Sequence, residues 1–172
     1  MSTNLHFIER INVTSSTSAL DVDNVFTDAY ENYKIFITGL GTVGSTHTAM
    51  YIRMINDAGT IQTATTYDYA FRRYNSGATF SITRSTTANF FNLLTFDRPP
   101  ESQGTVIDVF NARSTTDFTN INASSSTHWD GGMSGYTGIG TLATQEAHRG
   151  FQVLEPNVRP FDEGSIFVYG VK

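Results

Sequence analysis

Histidine, cysteine and carboxylate side chains are the groups best able to bind a metal ion, and their spacing in this sequence does not favour a metal site. The four histidines, His6, His47, His128 and His148, form none of the HxH, HxxxH or HExxH pairs that bring two imidazoles to one metal. The chain has no cysteine, which removes thiolate ligands and disulfides alike. We therefore expect neither a metal site nor a cofactor.

The most suggestive group of functional side chains is His128-Trp129-Asp130, which precedes a glycine-rich stretch. An imidazole, an indole and a carboxylate beside glycines suit the rim of a sugar-binding site, and Tyr136 adds a second aromatic ring nearby. Trp129, Tyr136 and His128 are therefore our candidate residues for contact with a glycan or a protein partner. The alternative interpretation is a surface loop that the single tryptophan anchors.

Two further patterns match binding motifs only in part. Residues 39–44 satisfy the GxGxxG spacing of a dinucleotide site, but the residues after them predict a strand where such a site requires a helix. Asp21-Val22-Asp23-Asn24 matches half of a calcium-binding loop and lacks its glycine and distal glutamate. We interpret the first pattern as a loop and the second as carboxylates that cap a turn.

No arrangement of residues indicates an enzyme. Ser134 lies in the sequence GMSGY, which is not the GxSxG of a nucleophile elbow. Glu146 and Glu155, or Asp108 and Asp117, are acid pairs only if the fold brings them together, which the sequence does not indicate. We expect a non-enzymatic protein, with a hydrolase on a β-sandwich scaffold as a minor alternative.

The composition restricts the partners that the protein can have. At 172 residues the chain fits one domain, residues 1–172, and its net charge of −5 with scattered basic residues argues against nucleic acid. No apolar run approaches the ~20 residues of a membrane span. The first residues resemble no secretory signal. Charged residues make up only 16% of the chain, and serine and threonine are abundant, which is typical of a polar, strand-rich protein.

The hydrophobic pattern predicts an all-β fold. Alternating segments separated by turn residues indicate about nine or ten short strands, which is typical of a two-sheet antiparallel β-sandwich with a jelly-roll-like arrangement. Residues 33–38 form the central strand, residues 60–66 form a weakly apolar return strand after a hairpin, and residues 89–96 form a strand or a helix. Residues 1–7 are a candidate extended N-terminal arm, with a frayed terminus as the alternative.

One segment before the central strand has a different periodicity. Its apolar residues recur at i, i+1, i+4, i+5 and i+8, which predicts one short helix or turn near residues 24–31 that covers the open end of the β-core. These residues are Val25, Phe26, Ala29, Tyr30 and Tyr33.

The two ends of the chain carry a resemblance to a known family. The N-terminal block combines an alternating strand, a Ser/Thr turn at residues 15–18 and the segment Tyr30-Glu31-Asn32-Tyr33-Lys34-Ile35. The C-terminal block is Phe161-Asp162-Glu163-Gly164-Ser165 followed by IFVYGVK. Together they resemble small virion structural proteins of tailed bacteriophages, either capsid decoration (cement) proteins or tail-fibre jelly-roll modules.

The resemblance implies a function and a set of partners. It implies first a decoration protein on the capsid surface of the virion, assembled in the host cytoplasm, which binds the major capsid protein and copies of itself as a homotrimer. It implies second a tail-fibre or receptor-binding module, in which Trp129, Tyr136 and Tyr67 would stack on host glycans. The compact length without a repetitive shaft favours the decoration protein. Neither reading involves a membrane, nucleic acid or a catalytic residue.

Overall fold

In a computed structural model the chain forms two antiparallel β-sheets packed face to face, which confirms the all-β sandwich. The structure describes residues 4–14, 17–43, 48–77, 80–96, 103–129 and 132–172. The described residues form twelve strands and no helix. None of them therefore forms a helix that could span a membrane. The strands are β1 (Leu5–Asn12), β2 (Ala19–Val22), β3 (Asn32–Thr42), β4 (Thr48–Asn56), β5 (Tyr67–Asn75), β6 (Ser81–Ala88), β7 (Phe91–Phe96), β8 (Gln103–Phe110), β9 (Thr119–Trp129), β10 (Gly132–Leu142), β11 (His148–Leu154) and β12 (Phe161–Val171).

Eight of the strands have the connectivity of a jelly roll. The larger sheet begins with the order β1-β12-β3-β8, and the smaller sheet has the order β2-β11-β4-β7. Numbered one to eight along the chain, these strands pair first with last, second with seventh, third with sixth and fourth with fifth. That nested pairing is the double Greek key of a jelly roll, as the sequence predicted.

The other four strands are two insertions that enlarge one sheet. The hairpin β5–β6 lies between β4 and β7 in the chain, and β9–β10 lies between β8 and β11. They continue the larger sheet as β8-β9-β10-β5-β6, which gives it eight strands against four in the smaller sheet. We call these four strands the inserted half of the larger sheet, and the first four strands its jelly-roll half.

The core lies between the sheets and follows the period-two alternation of the strands. In β3, Tyr33, Ile35 and Ile37 are fully buried, as the sequence predicted, while Lys34 and Phe36 lie on the opposite face. The smaller sheet and the partner strands of β3 supply most of the remaining core: Met50, Ile52, Met54, Ile107, Val109, Phe151, Val153, Ile166 and Val168.

The segment before β3 is a turn, so the turn prediction is confirmed and the helical alternative is wrong. Asn24 has a left-handed φ of 57°, and the Tyr30 amide donates to the Thr27 carbonyl at 3.4 Å. Val25 and Phe26 are buried nonetheless. The rings of Phe26 and Tyr33 pack together with their centroids 4.5 Å apart. The apolar residues cover the core through an irregular segment rather than through one helical face.

Three local expectations need correction. Residues 60–66 form no return strand: after a tight turn at Gly59 (φ 80°), a single bridge joins Ile55 to Ile61 before the chain crosses to the larger sheet. From Gly132 onward, the glycine-rich stretch after Trp129 forms strand β10 instead of a surface loop. Residues 39–42, expected in a loop, belong to β3, where two register shifts against β12 accommodate them.

Glycines in β10 are required by close packing rather than by turns. A Cβ on Gly138 would collide with the Ala70 carbonyl, and one on Gly140 would lie 2.6 Å from the Phe91 ring.

The candidate N-terminal arm is partly a strand. Its residues Leu5, His6 and Phe7 lie in β1 and pair with β12, while Met1 to Thr3 lie outside the described residues.

One buried hydroxyl joins the two sheets. Tyr67 in β5 accepts a hydrogen bond from the Met54 amide of β4 at 3.0 Å and donates to the Gln62 carbonyl at 3.0 Å. Burial raises the pKa of Tyr67 above its ordinary range, so the hydroxyl remains a protonated donor.

Replacing Tyr67 with phenylalanine should therefore destabilise the protein. The change keeps the ring but leaves the buried Met54 amide and the half-buried Gln62 carbonyl without their partner, at a cost of about 1–3 kcal/mol. Urea denaturation gives the free energy of unfolding. Tyr169→Phe is the matched control, because the Tyr169 hydroxyl has no hydrogen bond within the described residues, and it should change stability by less than about 0.5 kcal/mol. Equal effects of the two changes would contradict the assignment.

Candidate functional site

The outer face of the larger sheet carries most of the large apolar side chains that the described residues expose. Their exposed fractions lie between 59% and 69% for Phe7, Phe80, Ile82, Met133 and Ile139. Single exposed apolar residues are ordinary, but a group of them on one face marks an interaction surface. They fall into two groups, one on each half of the sheet.

The first group, which we call the aromatic strip, crosses β1, β12 and β3. Phe7 contacts Tyr169 edge to face at 5.6 Å between ring centroids, and Tyr169 contacts Phe36 in the same way at 5.6 Å. Lys34 forms an ion pair with Asp108 across β3 and β8, and the Arg10 guanidinium lies 5.1 Å from the Phe167 ring centroid on the same face. The strip is therefore an apolar band beside an internally neutralised pair.

The second group, which we call the arginine platform, consists of Arg72, Tyr74 and Phe80 on the inserted half. Tyr74 and Phe80 form an edge-to-face pair with ring centroids 5.8 Å apart. The Arg72 guanidinium lies 4.4 Å from the Phe80 centroid and 5.4 Å from the Tyr74 centroid. Because Arg72 and Tyr74 are two residues apart in β5, both project from the outer face.

A shallow depression of about 390 Å³ separates the two groups. It lies over β3, β8 and β9, where the outward positions are small. Its outward lining residues are Phe36, Thr38, Gly104, Val106, Ser124 and Ser126. The outer face is thus two raised apolar bands with a hydroxyl-rich depression between them.

The structure does not bring the three candidate residues from the sequence into one site. His128 pairs with Met133 and lies exposed on the outer face, near the tip of the β9–β10 hairpin. Tyr136 pairs with Ser125 and lies on the opposite, inner face, where it packs against the core and the Arg73 guanidinium lies 5.8 Å from its ring centroid. Trp129 belongs to β9, and its side chain lies outside what the structure describes.

The difference arises from the strand register. The register between β9 and β10 places His128 on the outer face of the sheet and Tyr136 on its inner face, so closeness in the sequence does not bring these two side chains together. Tyr67, the other aromatic considered for sugar stacking, is fully buried. The sequence did hold the signal for the arginine platform: Arg72 and Tyr74 share one face of a predicted strand, and Phe80 follows a turn that reverses the chain.

A cluster of ion pairs lies at one end of the sandwich. Arg113 donates to Asp28 at 2.8 Å and also pairs with Asp57, and Arg149 donates to both oxygens of Asp23, at 2.7 Å and 2.5 Å. The Arg149 hydrogen bonds lower the pKa of Asp23 below its ordinary value. These pairs tie the turn before β3 to β11 and to the hairpin after β4.

A cleft of about 440 Å³ lies beside this cluster, lined by Asp28, Tyr30, Glu31, Asn111, Arg113, Ser114 and Asp117. The Ser114 hydroxyl donates to Asp117 at 2.9 Å and accepts the Asp117 amide at 2.9 Å, which makes it part of a local turn. The Arg113 donors are occupied by carboxylates. Among the described residues, no three histidine, aspartate or glutamate side chains are grouped to hold a metal ion.

His148 is a fully buried titratable group, and its backbone carbonyl accepts a hydrogen bond from Arg113 at 3.3 Å. Its Nδ1 lies 2.9 Å from the Thr119 hydroxyl, and its Nε2 lies 3.4 Å from a Glu146 carboxylate oxygen without the alignment of a hydrogen bond. Burial lowers the pKa of His148 below 6.5 despite the opposing effects of Glu146 and Asp57. The imidazole is therefore neutral in the folded protein at pH 7.

Acidification should consequently destabilise the protein through His148. Below the ordinary pKa of about 6.5 the unfolded chain binds a proton that the folded chain does not, so the free energy of unfolding falls as the pH decreases from 7 towards the folded pKa. The slope from this one group is at most about 1.4 kcal/mol per pH unit. Denaturant melts at pH 5 to 7.5 should show a smaller slope for His148→Gln, and parallel curves would contradict this assignment.

Comparisons with known proteins add two distant structural neighbours. No family model matches the chain, and no curated protein sequence matches it. One solved structure is the CBM2 module of the evolved Dit of Lactobacillus casei BL23 phage J-1, with 10% identity, a TM-score of 0.28, and coverage of 93% of this chain and 75% of that one. Another is a fructofuranosidase from Schwanniomyces occidentalis complexed with fructosylnystose, with 8% identity and a TM-score of 0.30, covering 100% of this chain and 35% of that one. At these TM-scores neither neighbour's function bears on this chain.

Proposed function

We propose that the chain is a non-enzymatic structural protein of a tailed-phage virion, and that it decorates the capsid by packing its aromatic strip against the major capsid protein. The observation that carries the proposal is the exposure of Phe7, 59%, beside Tyr169 and Phe36 on the outer face of the larger sheet. The resemblance of the two chain ends to phage virion proteins supports the location.

The chemistry of the strip suits a contact with protein. Aromatic residues are enriched at the buried centres of protein interfaces and charged residues are depleted there, and the strip has an aromatic band with its nearest ion pair already formed. A rigid sheet surface loses little conformational freedom when it binds, which favours a stable attachment. Burying this band at a junction between capsid subunits would stabilise the folded shell by mass action.

A tail location is the second candidate function. The arginine platform favours it, because exposed aromatic rings with a guanidinium are suited to a ligand on a host surface. The two functions place the protein in different parts of the particle, so its location separates them.

Cryo-electron microscopy of virions that carry the chain tests the proposal directly. We expect its density over the capsid, with the β1 edge of the larger sheet facing the shell. Copies confined to the tail would overturn the decoration function and favour the second candidate.

Replacing Phe7 with serine should weaken attachment to the shell about tenfold, because truncating an anchor at an interface centre typically costs more than 1 kcal/mol. The measurement is the binding of purified protein to capsids that lack it. Ile139→Ser is the matched control, since Ile139 is 65% exposed on the inserted half. Both changes are at exposed positions and should leave the melting temperature nearly unchanged. Equal losses in both variants would contradict a role for the strip.

A further inference from the structure

The arginine platform lies on the inserted half of the larger sheet, and it has the geometry of a ligand-binding site. Phe80 lies opposite Tyr74, because Arg72 pairs with Ile82 and both strands continue in antiparallel register. Tyr74 is 38% exposed and Phe80 is 64% exposed, with Arg72 beside both rings. We propose that this platform binds a carboxylated cell-surface polysaccharide, with the sugar ring on Phe80 and Tyr74 and its carboxylate on Arg72.

The aromatic rings suit the apolar face of a sugar. A pyranose presents C–H groups on one face and hydroxyls at its rim, so it pairs with an exposed ring in the way that other amphipathic groups do. The Tyr74 ring also has room beside it, because its cross-strand neighbour in β10 is Gly135. A side chain at that position would cover the flank of the ring.

The guanidinium groups indicate that the ligand is anionic. Within the described residues neither Arg72 nor Arg84 forms an ion pair, and both are exposed. They lie on the same face, because Arg84 pairs across the sheet with Ala70, and Ala70 is two residues before Arg72 in β5. A planar guanidinium binds a carboxylate through two parallel hydrogen bonds. In a chain with a net charge of −5, two arginines without ion pairs beside exposed aromatic rings give this part of the surface a local positive charge that complements an acidic ligand.

A shallow depression next to the platform gives space for a second sugar unit. It has a volume of about 200 Å³ and lies between β10, β5 and β6, beside Arg84. Its lining includes Ile139, whose exposed side chain suits the apolar face of a sugar, and Thr141, whose hydroxyl donates to Asn120 at 2.7 Å and can still accept a hydrogen bond from a sugar hydroxyl. The small side chain of Ala70 leaves the floor of the depression open.

A polysaccharide fits this surface better than nucleic acid does. Nucleic-acid binding depends on a row of lysine and arginine residues that neutralises successive phosphates. Here the basic groups on this face are two arginines, Arg72 and Arg84, which are too few to neutralise a row of phosphates. A carboxylate once per sugar unit requires fewer cations than a phosphate chain.

The platform and the aromatic strip are separate surfaces, so this inference does not depend on the decoration function. The strip centres on β12 and the platform on β5, five strands apart in the sheet. At roughly 4.8 Å between neighbouring strands, this is a separation of roughly 24 Å across the sheet. One can face the shell while the other faces solvent.

Affinity electrophoresis in native gels tests the proposal with the purified full-length chain. The gels contain polygalacturonate, alginate or polysialic acid, and the reference gel contains fully methyl-esterified polygalacturonate, which has the same backbone without charge. We expect at least one of the acidic polymers to retard the wild-type protein and the esterified polymer to leave it unretarded. Arg72→Gln and Phe80→Ala should each weaken the retardation about tenfold.

Phe7→Ser is the control variant, because it removes an equally exposed ring from the other half of the sheet, and its retardation should equal that of the wild type. The proposal is overturned if none of the acidic polymers retards the protein, if the esterified polymer retards it equally, or if the Arg72 and Phe80 variants behave as the wild type. Stronger retardation by oligothymidylate than by the acidic polymers would replace the polysaccharide with a nucleic acid. Loss of shell binding by Phe7→Ser is measured separately, so the two proposals can fail independently.

Discussion

The contact between the Phe91 ring and strand β10 is the constraint on which the enlarged sheet depends. The four-stranded sheet covers part of the inner face of the inserted half, because its edge strand β7 contacts β5, β9 and β10. Its Phe91 ring lies against Gly140 and 4.8 Å from the Tyr67 ring. A side chain at position 140 would hold β7 away and expose the inner face of the inserted strands. The extended outer face, with both candidate surfaces, follows from this packing.

This constraint also explains which parts of the fold the sequence predicts. The central strand was predictable because Tyr33, Ile35 and Ile37 alternate with polar residues, and burial on one face enforces that pattern. The β10 strand was not, because Gly138 and Gly140 are selected by close approach of neighbouring backbone and rings, and glycine alone otherwise indicates a turn. The apolar residues near 24–31 recur at the spacing of a helix, but they belong to an irregular turn that buries Val25 and Phe26 against the core.

The candidate site was harder to predict than the fold, for a reason of register. His128 lies on the outer face of β9, whereas Tyr136 turns inward in β10, three residues after the outward Met133. Arg72, Tyr74 and Phe80 meet only because β5 and β6 pair in one register. Periodicity gives the face that a residue occupies, whereas the residue that it meets across the sheet depends on turn length and bulges, which one sequence does not determine.

The distribution of the few charges separates structural from binding residues. Lys34 with Asp108, Arg113 with Asp57 and Arg149 with Asp23 each join two segments that the fold brings together. A guanidinium in such a pair can bind an external anion only by giving up the partner that it already has. Arg72 forms no ion pair within the described residues, and the Tyr74 and Phe80 rings beside it hold its guanidinium in place without neutralising its charge. A charge-poor surface thereby leaves a positioned, unneutralised cation where a carboxylate can bind without breaking an internal pair.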